Sequence, residues 1–113
     1  MHELGILVEI VHRVETVMDR QGLTQVESLV LQIGEMASVV PYFIEQCYPA
    51  AVNGTRLENT RLEIEILPAN ARCKACGQVF HLEKDVRVCS ACGGADWELL
   101  GGREFMIKQI VAC

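Results

Sequence analysis

The densest chemistry in this sequence lies in two Cys-x-x-Cys pairs, Cys73-Lys-Ala-Cys76 and Cys89-Ser-Ala-Cys92, with 12 residues between them. Each pair fits one tight turn on which two sulfurs converge. Two such turns facing each other on a hairpin offer four sulfurs in a tetrahedron. Zn²⁺ accepts that set, at about 2.3 Å per Zn–S bond. Gly77 and Gly93 follow the second cysteine of each pair. A positive φ there turns backbone N–H groups toward sulfur. Four protein ligands leave no open coordination position. The expected ion is therefore a structural Zn(II) on Cys73, Cys76, Cys89 and Cys92. Disulfides conflict with a reducing compartment, and a redox Cys-x-x-Cys normally occurs once, at a helix start. His81 falls inside the module and reads as exposed or as an outer partner of the site. Cys47 reads as packed core, and the Cys113 thiol as incidental.

A second constellation sits at the start of the chain, Met1-His2-Glu3. With histidine at position 2, the Met1 amine, the His2 amide nitrogen and the imidazole close consecutive chelate rings. The Glu3 amide can complete a plane of nitrogens, an arrangement that suits Ni(II) or Cu(II). The initiator methionine is expected to remain, because its removal generally requires a small second residue. The Glu3 carboxylate is expected to orient the imidazole or to hold the peptide start. The candidate site is thus Met1, His2 and Glu3.

The elements that position these residues read as follows. Leu4, Leu7, Val8, Val11, Val14 and Met18 recur at helical steps, so a well-buried helix is expected over 4–21, closed by Gly22. Leu29, Leu31 and Ile33 alternate with Ser28, Val30 and Gln32, which predicts a strand over 26–34. Pro41 suits the first turn of a second helix, with Phe43, Ile44, Cys47, Tyr48 and Ala51 on its apolar face. Pro49 lies within that pattern and predicts a kink or an early end. Leu62, Ile64 and Ile66 predict a strand over 61–67, and 103–111 returns to strand character. Residues 72–96 hold four cysteines and few large apolar side chains, so they cannot build an apolar core alone. The expected architecture is α/β: two helices on a small three-stranded sheet, 1–70 plus 97–113, with a zinc-ribbon-like module inserted at 71–96.

Composition narrows the function classes. The chain has 113 residues, half of them hydrophobic, so a folded domain rather than disorder is expected. A net charge of −5 argues against nucleic acid as a partner. No apolar run approaches the roughly 20 residues of a membrane span. The first residues lack a basic n-region and carry Glu9, His12 and Arg13 where an apolar stretch would continue, so a cytoplasmic protein is expected. No nucleophile–base constellation appears, which argues against an enzyme.

Together these features resemble the hydrogenase nickel-incorporation accessory protein family, the HypA/HybF type. The resemblance spans the whole chain. It runs from Met1-His2-Glu3-Leu4 through Ile33-Gly34-Glu35, Val40-Pro41 and the Leu62–Leu67 strand. It continues through both cysteine pairs with Gly77 and Gly93, and ends at Gly102-Arg103-Glu104. Two departures are visible: Ser90 stands where the family usually has proline, and Gly5 where serine is common. Neither is a ligand. The resemblance implies a metallochaperone that binds Ni(II) through His2 and the N-terminal backbone beside a Zn(II) module. It implies delivery to the [NiFe]-hydrogenase large subunit together with a maturation GTPase. Some relatives also serve urease, which makes urease maturation factors further candidate partners. The oligomeric state stays open between monomer and homodimer. The competing class is a zinc-ribbon protein–protein adaptor with no metal to deliver.

Overall fold

The computed structural model describes residues 2–82 and 87–112. Eight elements follow in chain order: α1 (Glu3–Gln21), β1 (Val26–Gly34), α2 (Pro41–Val52), β2 (Arg61–Leu67), β3 (Asn70–Cys73), β4 (Val79–His81), β5 (Trp97–Gly101) and β6 (Phe105–Ala112). Two three-stranded sheets form, ordered β2-β1-β6 and β4-β3-β5. The two helices, β1, β2 and the return of the last strand to the first sheet agree with the sequence patterns.

The chain divides into two compact units. The first comprises Met1–Leu31, Val39–Glu65 and Met106–Cys113. Its core contains Leu7, Val11, Val14 and Met18 of α1, Leu29 and Leu31 of β1, and Ile44 of α2, all under 3% exposed. Each such side chain contributes about 1.5–3 kcal/mol by leaving water. The apolar stripe of α1 is narrower than expected. Leu4 and Val8 stay 46% and 42% exposed, because they lie on the flank beyond the 7-11-14-18 row that meets the core. On α2, Phe43 likewise faces outward and Cys47 is only half buried. Pro49 does not end α2, which runs on to Val52. Burial of Tyr48, Ala51 and Val52 around the proline holds that last turn against the roughly 3 kcal/mol that an interior proline costs. The Tyr48 hydroxyl donates to the Thr60 carbonyl at 3.0 Å, and the Thr60 hydroxyl to the Val26 carbonyl at 2.7 Å.

The second unit comprises Gln32–Ser38 and Ile66–Phe105. Its bounds run wider than the 71–96 expected for the cysteine module. The physical reason is the second sheet. Ala71 pairs with Phe80 on one side and with Leu99 on the other, while Cys73 pairs with Trp97. The small core is Ala69, Ala71, Cys73, Phe80, Leu82 and Cys89, with Met36, Trp97 and Leu99 packed against it. A stretch too poor in apolar side chains to make its own core takes them from both flanks and from Met36. The backbone is tight where these flanks cross. The Met36 N–H donates to the Gly102 carbonyl at 2.7 Å, and the Gly34 N–H to the Glu104 carbonyl at 2.7 Å. A Cβ on Gly34 would lie 2.0 Å from the Gly102 carbonyl oxygen, so no larger residue fits there.

Among the described residues, no helix is long and apolar enough to cross a membrane.

Candidate metal centre

Each cysteine pair forms a turn closed by the same contact. The Gly77 N–H donates to the Cys73 carbonyl and the Gly93 N–H to the Cys89 carbonyl, both at 2.8 Å. Both glycines take positive φ, 77° and 73°, where a side chain would be strained. Cys73 lies at the end of β3 and is 1% exposed, and Cys89 is 2% exposed. Cys76 and Cys92 face solvent. The turns face each other, so the nearest sulfurs cross between them: Cys73 to Cys92 and Cys76 to Cys89 are each 3.6 Å apart. All four ligand atoms lie within 4.8 Å of one another. A tetrahedron with bonds of about 2.3 Å has edges of about 3.8 Å, so the four sulfurs match the size of a thiolate-bound zinc site.

The electrostatics point the same way. The Cys76 N–H pulls the Cys73 thiol below its ordinary value, and the Cys92 N–H draws Cys89 down to about 7. The Ala91 N–H also points at the Cys89 sulfur, at 3.4 Å. The second cysteine of each turn behaves oppositely. The Gln78 N–H pulls Cys76 down, but its sulfur neighbours, led by Cys89, and burial push it up to about 12. The Gly94 N–H pulls Cys92 down, but the Cys73 sulfur leads the effects that raise it. Four adjacent thiols cannot all ionise unless a cation offsets the repulsion, and a divalent ion does that. Gly94 completes the cradle, since a Cβ there would crowd the Cys92 sulfur at 3.3 Å and lie 3.6 Å from that of Cys73. The Lys74 N–H, donating to the Asp96 carbonyl at 2.9 Å, ties the first turn to the approach to β5.

His81 stands apart from the sulfurs. Its Nε2 lies 2.6 Å from Glu35 Oε1, which also accepts the Ala69 N–H at 2.8 Å. These contacts, led by His81, hold the Glu35 carboxyl below the usual range. Nothing in the local sequence joins Glu35 to His81; the only signal was the place of Glu35 in the Ile33-Gly34-Glu35 motif.

The other expected site lies at the start of α1. Met1 is outside the described residues. His2 is exposed and is the N-cap of α1, its carbonyl accepting the Ile6 N–H at 3.0 Å. Glu3 is buried, at 6% exposure. Its Oε2 accepts the Val40 N–H at 3.5 Å, and Val40 is the N-cap of α2. The structure therefore brings the four cysteines together, and at the helix start leaves His2 exposed and Glu3 buried. The role of the Val40 N–H had no sequence signal, because a backbone group has none.

Comparison with known proteins gives consistent results. The model of a family described as hydrogenase/urease nickel incorporation, metallochaperone, HypA matches residues 1–112. The hydrogenase maturation factor HypA of Streptomyces avermitilis is 38% identical over 112 residues, covering 97% of this chain and 86% of that protein. That of Nostoc sp. is 36% identical over 110 residues, covering 97% and 94%. A solution structure of the Ni metallochaperone HypA from Helicobacter pylori shares the fold, with a TM-score of 0.67 at 19% identity over 99% of this chain and 97% of that one.

Proposed function

The chain belongs to the hydrogenase/urease nickel-incorporation metallochaperone family, and on that premise we propose that it binds Ni(II) at its amino-terminal end and hands it on during [NiFe]-hydrogenase maturation. The observation that carries this reading is the placement of His2, exposed at the N-cap of α1. The first N–H groups of a helix have no carbonyl one turn back to receive them. The amide nitrogens of His2 and Glu3 are therefore not committed to the helix ladder. The imidazole, these nitrogens and the Met1 amine supply the planar set that Ni(II) takes. The receiving protein is the [NiFe]-hydrogenase large subunit, with a maturation GTPase as partner. Urease maturation is the alternative destination. The protein works by binding and release of metal rather than by turnover.

Cys73, Cys76, Cys89 and Cys92 would hold Zn(II), which would tie together a unit whose apolar core is small. Sulfur spacing, the N–H groups aimed at sulfur and the Gly94 cradle support that assignment.

The test is calorimetry of Ni(II) binding to the native chain, to His2→Ala and to a chain extended by one residue before Met1. Both changes are expected to weaken binding by about a hundredfold or more, since each removes a donor from the chelate, while zinc content stays the same. Proton release on binding, read in buffers of different ionisation heat, follows from amide ligation. Equal affinity in all three proteins would sink the N-terminal site and leave the adaptor function.

A further inference from the structure

The two cysteine turns share an internal geometry but differ in how they are anchored. The first grows out of β3, the middle strand of its sheet, which pairs with β4 on one side and β5 on the other. The Cys73 N–H donates to the Gln78 carbonyl and the Lys74 N–H to the Asp96 carbonyl, both at 2.9 Å. Lys74 Nζ also lies 3.8 Å from Asp96 Oδ1. The second turn, Cys89–Cys92, belongs to no strand among the described residues. Its backbone bonds, Cys89 N–H to the Gly94 carbonyl and Gly93 N–H to the Cys89 carbonyl, stay within the turn, each at 2.8 Å.

A single side chain fastens that turn to the sheet. The Trp97 Nε1–H donates to the Arg87 carbonyl at 2.9 Å, two residues before Cys89. Among the described residues, no other hydrogen bond leaves 87–95 except through sulfur. Trp97 opens β5, is the register partner of Cys73, and packs against the core that contains Cys73 and Cys89. Opposed residues of an antiparallel pair place their side chains on one face. One residue therefore meets the first turn through its strand register and the second through its indole. The bond to Arg87 closes residues 87–97 into a ring, whose other side is the chain running from Cys92 into β5. When that bond opens, the approach to Cys89 is freed. The turn then swings about its connection to β5 and carries two sulfurs away from Cys73 and Cys76. The first turn, paired into the sheet on both sides, has no such freedom.

We propose that Trp97 is a positioning residue for the metal centre: its indole holds the second cysteine turn in place, so that the Cys89–Cys92 side opens first when the site gives up its metal. The inference rests on the zinc reading of the four cysteines. It deepens that reading by giving the site a fixed half and a hinged half. As the hinged half opens, its Zn–S bonds break with the electron pairs kept on sulfur, and the zinc stays Zn(II). An incoming chelator takes the metal from that side.

The test follows amide hydrogen exchange by NMR in the full-length zinc-loaded protein, at Gly77 and Gly93, which close the two turns with matched bonds. Protection is taken relative to each amide's unfolded rate. In the native protein Gly93 is expected to be the less protected. The indole N–H of Trp97, the one tryptophan, should exchange in step with it. Trp97→Phe keeps an aromatic ring and removes the donor. It should lower protection at Gly93 about fivefold, the loss of one ordinary hydrogen bond, and leave Gly77 unchanged. Zinc transfer to a chromophoric chelator should quicken by a similar factor. Leu99→Ala thins the same core and removes no hydrogen bond to the second turn, so it should affect Gly77 and Gly93 alike. Equal losses at both glycines in Trp97→Phe, or none at either, would overturn the inference and leave the zinc site standing. Should Trp97→Phe fail to fold, the native protein decides. Gly93 protected as well as Gly77, or an indole N–H that keeps step with Gly77, overturns the inference too. If the native chain holds no zinc, or Cys92→Ala holds it as tightly, the four-cysteine reading falls and takes the inference with it.

Discussion

Glu35 and His81, 46 residues apart in sequence, meet at 2.6 Å, and the same Glu35 oxygen accepts the Ala69 N–H. The carboxylate thereby joins the Gln32–Ser38 segment to both β3's approach and β4 within the second unit. Its folded pKa lies below the unfolded value, with the His81 contact the leading cause and the Ala69 N–H next. A depressed carboxylate contributes stability that is fully present above its unfolded pKa and is lost as pH falls through the folded value. Glu35→Gln is expected to destabilise the second unit at pH 7. The gap to wild type should close as pH drops below about 4.3, the ordinary glutamate value. Urea denaturation of both proteins at matched metal content, from pH 7 to pH 3, measures it. A gap that stays constant over that range would show that the charge on Glu35 is irrelevant.

The cysteine cluster is expected to hold one zinc per chain. Metal binding to four thiolates is folding free energy, on the order of 10 kcal/mol or more in small zinc domains. Cys73→Ala and Cys92→Ala should lose the ion and open the second unit to protease, while the helical signal of α1 and α2 persists. Elemental analysis with limited proteolysis checks both. Full protection of residues 66–105 in the metal-free protein would remove the structural role.

Gly102 has φ +113°, and a Cβ built on it lies 2.5 Å from the Ala69 Cα. Gly102→Ala is expected to cost about 3 kcal/mol or more, since backbone strain and overpacking add. The cost falls on the second unit, so thermal unfolding followed at Trp97 should shift further than circular dichroism of the helices. A shift within about 0.5 kcal/mol, the range of an ordinary surface change, would contradict the close approach.

In the first unit, Leu7 and Ile44 are fully buried, whereas Tyr42 is 61% exposed. Leu7→Ala or Ile44→Ala should cost about 2–5 kcal/mol, and Tyr42→Ser about 0.5 or less. Tyr48→Phe removes a hydroxyl that burial pushes up to about 12 and that donates to Thr60, and should cost about 1 kcal/mol. Denaturant midpoints with unchanged slopes test all four. Comparable losses for Tyr42→Ser and Leu7→Ala would place the core elsewhere.

The patterns that repeat along the chain were enough to draw α1, β1, α2, β2 and β6. A 3.6- or 2-residue period records each element's type, and the helices bury one face each, although β2 and β6 are only partly buried and Ile66 is 48% exposed. The four cysteines were legible for a similar reason: a chelating pair is local, and its spacing survives as text. Everything that joins distant segments was decided by the tertiary structure. The sheet β4-β3-β5 has strands of only three to five residues, too short to show a period, and its pairing of Cys73 with Trp97 depends on long-range register. Pro49 stays inside α2 because packing around Tyr48 outweighs the local cost. Leu4, Val8 and Phe43 look like core by their helical spacing, yet they stay 46%, 42% and 39% exposed. No pattern in the sequence shows what the Glu3 and Glu35 carboxylates meet: the remote Val40 N–H for one and the remote Ala69 N–H for the other. A backbone donor leaves no mark in the sequence, so where it points is settled only when the chain has folded.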